Sequence, residues 1–170
     1  IMATRPFAAL GAALAAVWLT AAAADGEVAY PQGFRAWTHV RTGTIGPANP
    51  AFAHFGGMHS IYANKPALAG YRTGRFPDGS VLVFDVLAMT TDKDIGVAGD
   101  RRLIDVMEKD SKRFKATGGW GYGEFKGSSH SERTLLQAQA ASNCHACHQT
   151  RTKTDSVFGA IQGAEAMPGG

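Results

Sequence analysis

Ser80-Val81-Leu82-Val83-Phe84-Asp85-Val86-Leu87-Ala88-Met89 is the stretch that decides the fold. It follows a Pro77-Asp78-Gly79 turn signal and reads as the clearest strand in the chain. Successive side chains of a strand point to opposite faces. Leu82, Phe84, Val86 and Ala88 therefore form one wholly apolar face, and Phe84 should point into whatever the domain buries. Val81, Val83, Leu87 and Met89 form the other face, which Asp85 interrupts.

Upstream, Phe34 to Thr42 alternates loosely as a strand, Gly43 to Pro50 is turn-rich, and Met58 to Ala63 is another strand. Asn64 can cap a short helix over Lys65 to Tyr71, with Pro66 in its first turn. Downstream, Leu103, Ile104, Met107 and Phe114 predict a helix within Asp100 to Lys115. Trp120 to Phe125 is a Gly-spaced strand, and Glu132 to Asn143 is a helix ending at two cysteines. The Gly/Ala-rich tail from Gly159 should fray. Strands precede, separate and follow the helices without regular alternation. That order predicts an α+β fold, mostly antiparallel β-sheet with a few helices.

The 170 residues carry 17 Lys+Arg against 14 Asp+Glu, a formal charge of +3. Hydrophobic residues are 45% and charged residues 18%. This excludes disorder, collagen and coiled coil, and two Cys exclude a disulfide-stapled mini-protein. The dispersed charge gives no case for nucleic acid. Ile1 to Ala24 differs from the rest. Arg5 is its only charge, Phe7 onward is small and apolar, and Ala22-Ala23-Ala24 precedes Asp25. This is the pattern of a secretory signal peptide. An uncleaved anchor is the alternative, since the run is about long enough to cross a bilayer. The expectation is a signal peptide over 1–24 and a single domain over 25–170. That domain would be periplasmic, with no membrane association after cleavage.

Cys144-His145-Ala146-Cys147-His148 is C-x-x-C-H, the attachment signature of a c-type haem. Two thiols three residues apart can reach the two vinyl groups on one porphyrin edge, and His148 then falls under the iron as its ligand. A disulfide or a zinc site are the alternatives. No thioredoxin-like βαβ frame surrounds the motif and no second Cys pair is present. His145, inside the loop, should face solvent.

The other side of the iron decides the function. A second strong ligand makes an electron carrier, whereas an open position binds a small molecule. Met58, Met89, Met107 and Met167 are available, with His39, His54, His59 and His130. Met107 fits a helix core, Met89 ends a strand and Met167 lies in the tail. Met58 and His59 stay open as ligands.

Y-P-Q-G-F-R-A-W-T-H-V (Tyr30 to Val40), H-F-G-G-M-H-S-I-Y-A-N (His54 to Asn64) and Y-R-T-G-R-F-P-D-G-S-V-L-V-F-D (Tyr71 to Asp85) resemble the cytochrome P-460 family. So do K-D-S-K-R-F (Lys109 to Phe114), G-G-W-G-Y-G-E-F (Gly118 to Phe125) and C-H-A-C-H followed by K-T-D-S-V-F (Lys153 to Phe158). The resemblance implies a mostly antiparallel β fold, a homodimer and one covalent haem c per chain. One branch of the family oxidises hydroxylamine and carries a lysine cross-linked to the porphyrin. Phe84 stands at the matching position, so that cross-link cannot form there. The cytochrome c'-beta branch instead lines the distal face with phenylalanines, and Phe84 fits one of them, with Phe55 as the second. His59 falls near a polar distal-pocket position of the P-460 branch.

The expected site is therefore Cys144, Cys147 and His148 as cofactor-binding residues, His148 as metal ligand, and Phe84, Phe55 and His59 on the distal side. Phenylalanine can neither ligate iron nor donate a conventional hydrogen bond. An apolar cap disfavours dioxygen, whose bound form gains from a donor, more than nitric oxide. The expected function is a five-coordinate c-type cytochrome with an apolar distal pocket that binds nitric oxide or a similar diatomic gas, with a possible redox partner protein. The alternatives are a hydroxylamine- or nitric-oxide-oxidising enzyme, or a six-coordinate electron carrier. Haem propionates need cationic partners, for which Arg41, Arg72, Lys109 and Arg113 all qualify.

Overall fold

The computed structural model describes residues 26–161. The expected signal peptide, and the tail from residue 162 with Met167, lie outside the described residues. Five strands form one antiparallel sheet in the order β1-β2-β3-β4-β5, each paired with its sequence neighbour. They are β1 (Thr38–Ile45), β2 (Gly57–Ala63), β3 (Val81–Asp92), β4 (Ile95–Lys109) and β5 (Trp120–Lys126). A one-turn helix α1 (Phe52–Phe55) joins β1 to β2, α2 (Lys65–Thr73) joins β2 to β3, and α3 (Gln137–His148) follows β5. The fold is thus α+β with a mostly antiparallel sheet. Among the described residues no helix is long and apolar enough to cross a membrane.

Asn64 caps α2, its side chain accepting from the Ala67 N–H at 3.1 Å, and Pro66 sits in the first turn. Phe34–Ala36 is a 3-10 turn, so β1 begins only at Thr38; it runs to Ile45, into the start of the turn-rich region, and residues 46–50 turn as expected. The predicted helix within Asp100 to Lys115 is corrected: these residues lie mainly in β4, which pairs with β3 across a two-residue turn. Lys93 and Asp94 adopt φ of 48° and 66°, the left-handed pair that the twist of a tight hairpin requires. The helix spacing misled because β4 is buried on both faces. Leu103 and Met107 point one way, Ile104 and Val106 the other, and all four are buried.

The two faces carry separate cores. One joins Val40, Ala63, Leu82, Met107, Trp120 and Tyr122 to Ala67 of α2, Phe76 in the loop after it and Ala140 of α3. The other joins Val83, Ile104, Val106 and Phe125 to Val28, Phe34 and Phe114. Asp85, which interrupts the second face, is buried and held by Arg101 at 2.6 Å and Arg35 at 3.2 Å. The first face bears the site.

Candidate cofactor site

α3 carries the cysteine motif and packs on β5. Gln137 Nε2 donates to the Tyr122 carbonyl at 3.1 Å, fixing the start of the helix over the sheet. α3 begins five residues later than expected and runs through both cysteines to His148. Cys144 and Cys147 are unpaired and one helical turn apart, so they share a face. Burial pushes the Cys144 thiol up to about 12, and the Asp105 and Glu124 carboxylates add to that shift. His145 is half-buried with its Nδ1 enclosed, not solvated as expected.

His148 is oriented from behind. Its Nδ1 lies 2.8 Å from the Ser156 carbonyl, which can only accept, so Nδ1 carries the proton and Nε2 keeps a free lone pair. Burial lowers its pKa, with the Ser156 carbonyl opposing, which favours the neutral imidazole that ligates metals. The ring is flanked by Tyr122 at 5.5 Å and by the edge of Phe158 at 4.9 Å. Ser156 is presented by a strained loop, in which Asp155 and Ser156 both have positive φ, 49° and 66°. Lys109 of β4 holds that loop, its ammonium donating to both Asp155 carboxylate oxygens at 2.9 and 3.0 Å. Phe76 N–H donates to the same carboxylate, and Trp120 Nε1 donates to the Asp155 carbonyl at 2.7 Å.

A cavity of about 370 Å³ lies between α3 and the sheet. Cys144, Cys147 and His148 line one side, and Met107 and Tyr122 of the strands lie opposite. Two residues further along the strands, Asp105 and Glu124 are direct cross-strand partners and also line it. His54 and Phe55 of α1 complete the wall. Arg102 ties α1 down by donating to the Gly56 and Ala53 carbonyls. Gly57 follows at φ 118°, where a Cβ would lie 2.2 Å from the Leu87 carbonyl oxygen.

The pocket is not wholly apolar. Glu124 is buried, accepts from the Thr134 hydroxyl, and has His54 Nε2 2.6 Å from its carboxylate. The His54 ring is nearly half-exposed, so this pair joins the cavity to solvent. Asp105 is half-buried and open toward the cavity, while its Oδ1 is enclosed and has no partner. Burial raises its pKa well above the usual carboxylate range, and the Glu124 carboxylate raises it further. The sequence offered His54 only as one of several available histidines and did not single out Asp105 or Glu124. Asp105 looked like the polar side of a helix and Glu124 like an ordinary residue in a Gly-spaced strand.

Of the expected distal residues, Phe55 lines the cavity. Phe84 stands in the rank behind it, meeting its ring edge-on at 5.7 Å and 89°, and is the cross-strand partner of Asp105. His59 lies behind Phe84, ring centroids 4.6 Å apart, and does not reach the cavity wall. Met58 points to the opposite face from His59 and is removed from ligation by strand alternation. Met107, placed in a strand, does line the cavity, in the cross-strand pair with Tyr122.

These residues fit a covalently tethered haem. Two unpaired thiols on one helix face are followed directly by a neutral imidazole with its Nε2 free, all opening on a cavity with apolar walls at Met107 and Leu135. Comparison with known proteins agrees. The profile of the Cytochrome P460 family matches residues 31–159. No curated protein matches the chain. With C-x-x-C-H at the mouth of such a cavity and the family match covering most of the chain, the protein belongs to the cytochrome P460 family, and its cofactor is a covalently bound haem c.

Proposed function

We propose that this chain is an exported mono-haem cytochrome that binds nitric oxide on the haem face away from His148. Haem c would supply a redox-active iron able to bind a small ligand. Cys144 and Cys147 would tether it and His148 would hold the metal. The observation that carries the reading is the aromatic pair at the cavity, Phe55 on the wall with Phe84 edge-on behind it. Neither ring can ligate or donate, so they favour a small, weakly polar ligand over an anion or a strongly polarised one. Phe84 also occupies the position where the resemblance puts the cross-linking lysine of hydroxylamine-oxidising relatives. The Ala-rich segment Ile1 to Ala24 supports export to the periplasm, and the family resemblance supports a homodimer served by a redox partner protein.

A second reading is favoured by a specific observation, the Asp105–Glu124 carboxyl pair with His54 at its outer end. Hydroxylamine gives up protons as it is oxidised. Glu124, beside Asp105, can accept a proton in the cavity and His54 can pass it to water. Optical spectra of the purified protein test the first reading. We expect a high-spin ferrous spectrum that converts to a mono-nitrosyl adduct. A low-spin ferrous spectrum without added ligand would refute it. Hydroxylamine turnover with an electron acceptor, abolished in Glu124→Gln, would instead establish the second.

A further inference from the structure

Arg41 reaches the cavity side of the sheet because of one extra residue. β1 and β2 pair Thr38 with Ala63 and His39 with Tyr62, then skip Val40 and pair Arg41 with Ile61. A bulge of this kind reverses the facing of every later side chain in its strand. In unbroken register Arg41 would oppose Ser60 and face the other core. Instead it heads a row that crosses the sheet through Ile61, Phe84 and Asp105 to Glu124.

The surroundings of Arg41 hold two unexplained polar atoms. Tyr71, on α2, has its hydroxyl buried with no partner, and His59 has its Nδ1 in the same condition. Such groups are rare in folded proteins and need a reason. Both sense the guanidinium. Burial raises the Tyr71 phenol to about 12 with Arg41 opposing, and burial lowers the His59 pKa with Arg41 adding to the effect. Two glycines make the room. A Cβ on Gly159 would stand 2.6 Å from Arg41 Nη1, and one on Gly43 would stand 3.0 Å from the His59 ring.

Arg41 itself is exposed and, among the described residues, its guanidinium makes no ion pair or hydrogen bond. Two of the other cations are committed elsewhere. Lys109 is held by Asp155, and Arg113 by Glu108 and the Glu27 carbonyl. A guanidinium fork beside a phenol and an imidazole is a donor set for carboxylates. It stands at the β1 end of the strand order, while α3 and its cysteines stand over β5, at the other end.

We propose that Arg41, Tyr71 and His59 form the site that holds the propionate carboxylates of the haem. None of the three lines the cavity beside α3, so this rests on the haem occupying that cavity and extending past its wall toward β1. The bulge at Val40 is then a device that aims the anchor, and the orphaned Tyr71 hydroxyl and His59 nitrogen find their partners on the cofactor.

Resonance Raman spectra of the holoprotein test this, with intact mass reporting covalent haem. Arg41→Gln and Tyr71→Phe should each keep the haem mass and shift the propionate bending bands. Arg41→Lys, which keeps charge but loses the fork, should shift them less, and Arg113→Gln should leave them unchanged. Unmoved bands in Arg41→Gln overturn the proposal. So does a saturable perturbation of the His59 ring resonances by acetate in the native holoprotein that Arg41→Gln abolishes, because the site would then take free carboxylates. A native chain without haem mass refutes occupancy of the cavity itself, a failure distinct from that of the anchor.

Discussion

Phe55 and Phe84 divide one task between two ranks, and substitution separates them. Phe55→Ala removes the ring that lines the cavity and should speed carbon monoxide binding to the ferrous protein roughly tenfold, equivalent to about 1.4 kcal/mol of barrier. Phe84→Ala removes only the support behind it and should have a smaller effect in the same direction. Flash photolysis measures both, and equal rates in all three proteins would mean that neither ring guards the iron. The C-x-x-C-H motif was legible in sequence because covalent attachment of a haem dictates both residue type and spacing. Phe84 was legible as an inward-facing residue because a strand alternates. Its place behind Phe55 was not, since that depends on a one-turn helix whose position is set by Arg102, over forty residues away. His54 escaped for the same reason, its role being visible only through its contact with Glu124.

At the level of the element, His148 is positioned by the loop that follows its helix. Lys109 reaches from the end of β4 to Asp155, and two successive left-handed residues then turn the Ser156 carbonyl onto His148. The Lys109 and Asp155 side chains are only 10% and 17% exposed. Losing one partner of such a pair leaves a buried charge uncompensated. Lys109→Met should therefore cost about 3 kcal/mol of stability. It should also shift the iron–histidine stretching band, and Lys109→Arg should restore part of both. A loss of stability with an unmoved band would make Lys109 a purely structural residue. β4 shows why sequence reading failed at one element. Its Leu103-Ile104-Asp105-Val106-Met107 run is enclosed by a core on each side, which erases the alternation that marks a half-buried strand. Asp105, the polar residue that made the run look amphipathic, faces the cavity. A site residue broke the local pattern, as functional residues often do.

For the whole molecule, the carboxyl pair makes stability depend on pH. Asp105 holds its proton more tightly in the fold than in the unfolded chain, where aspartate titrates near 4. The folded state therefore binds more protons between that value and its raised pKa. Its stability should fall as pH rises through this window, by up to about 1.4 kcal/mol per pH unit. Asp105→Asn should flatten the curve, and melting temperatures of the holoprotein across a pH series report the difference. The mostly antiparallel α+β class was predictable from the other four strands, since neighbouring antiparallel strands need only local turns and alternation, although β4 was read as a helix. The extra residue in β1 was not, because register is a property of two strands together. That residue also shapes the margin of the sheet. β1 is an outer strand, and a flat outer strand invites pairing with another chain. The irregularity at Val40 interrupts its ladder, and the exposed Arg41 beside it adds a charge. One inserted residue thus also discourages the fibrous self-association to which open margins are prone.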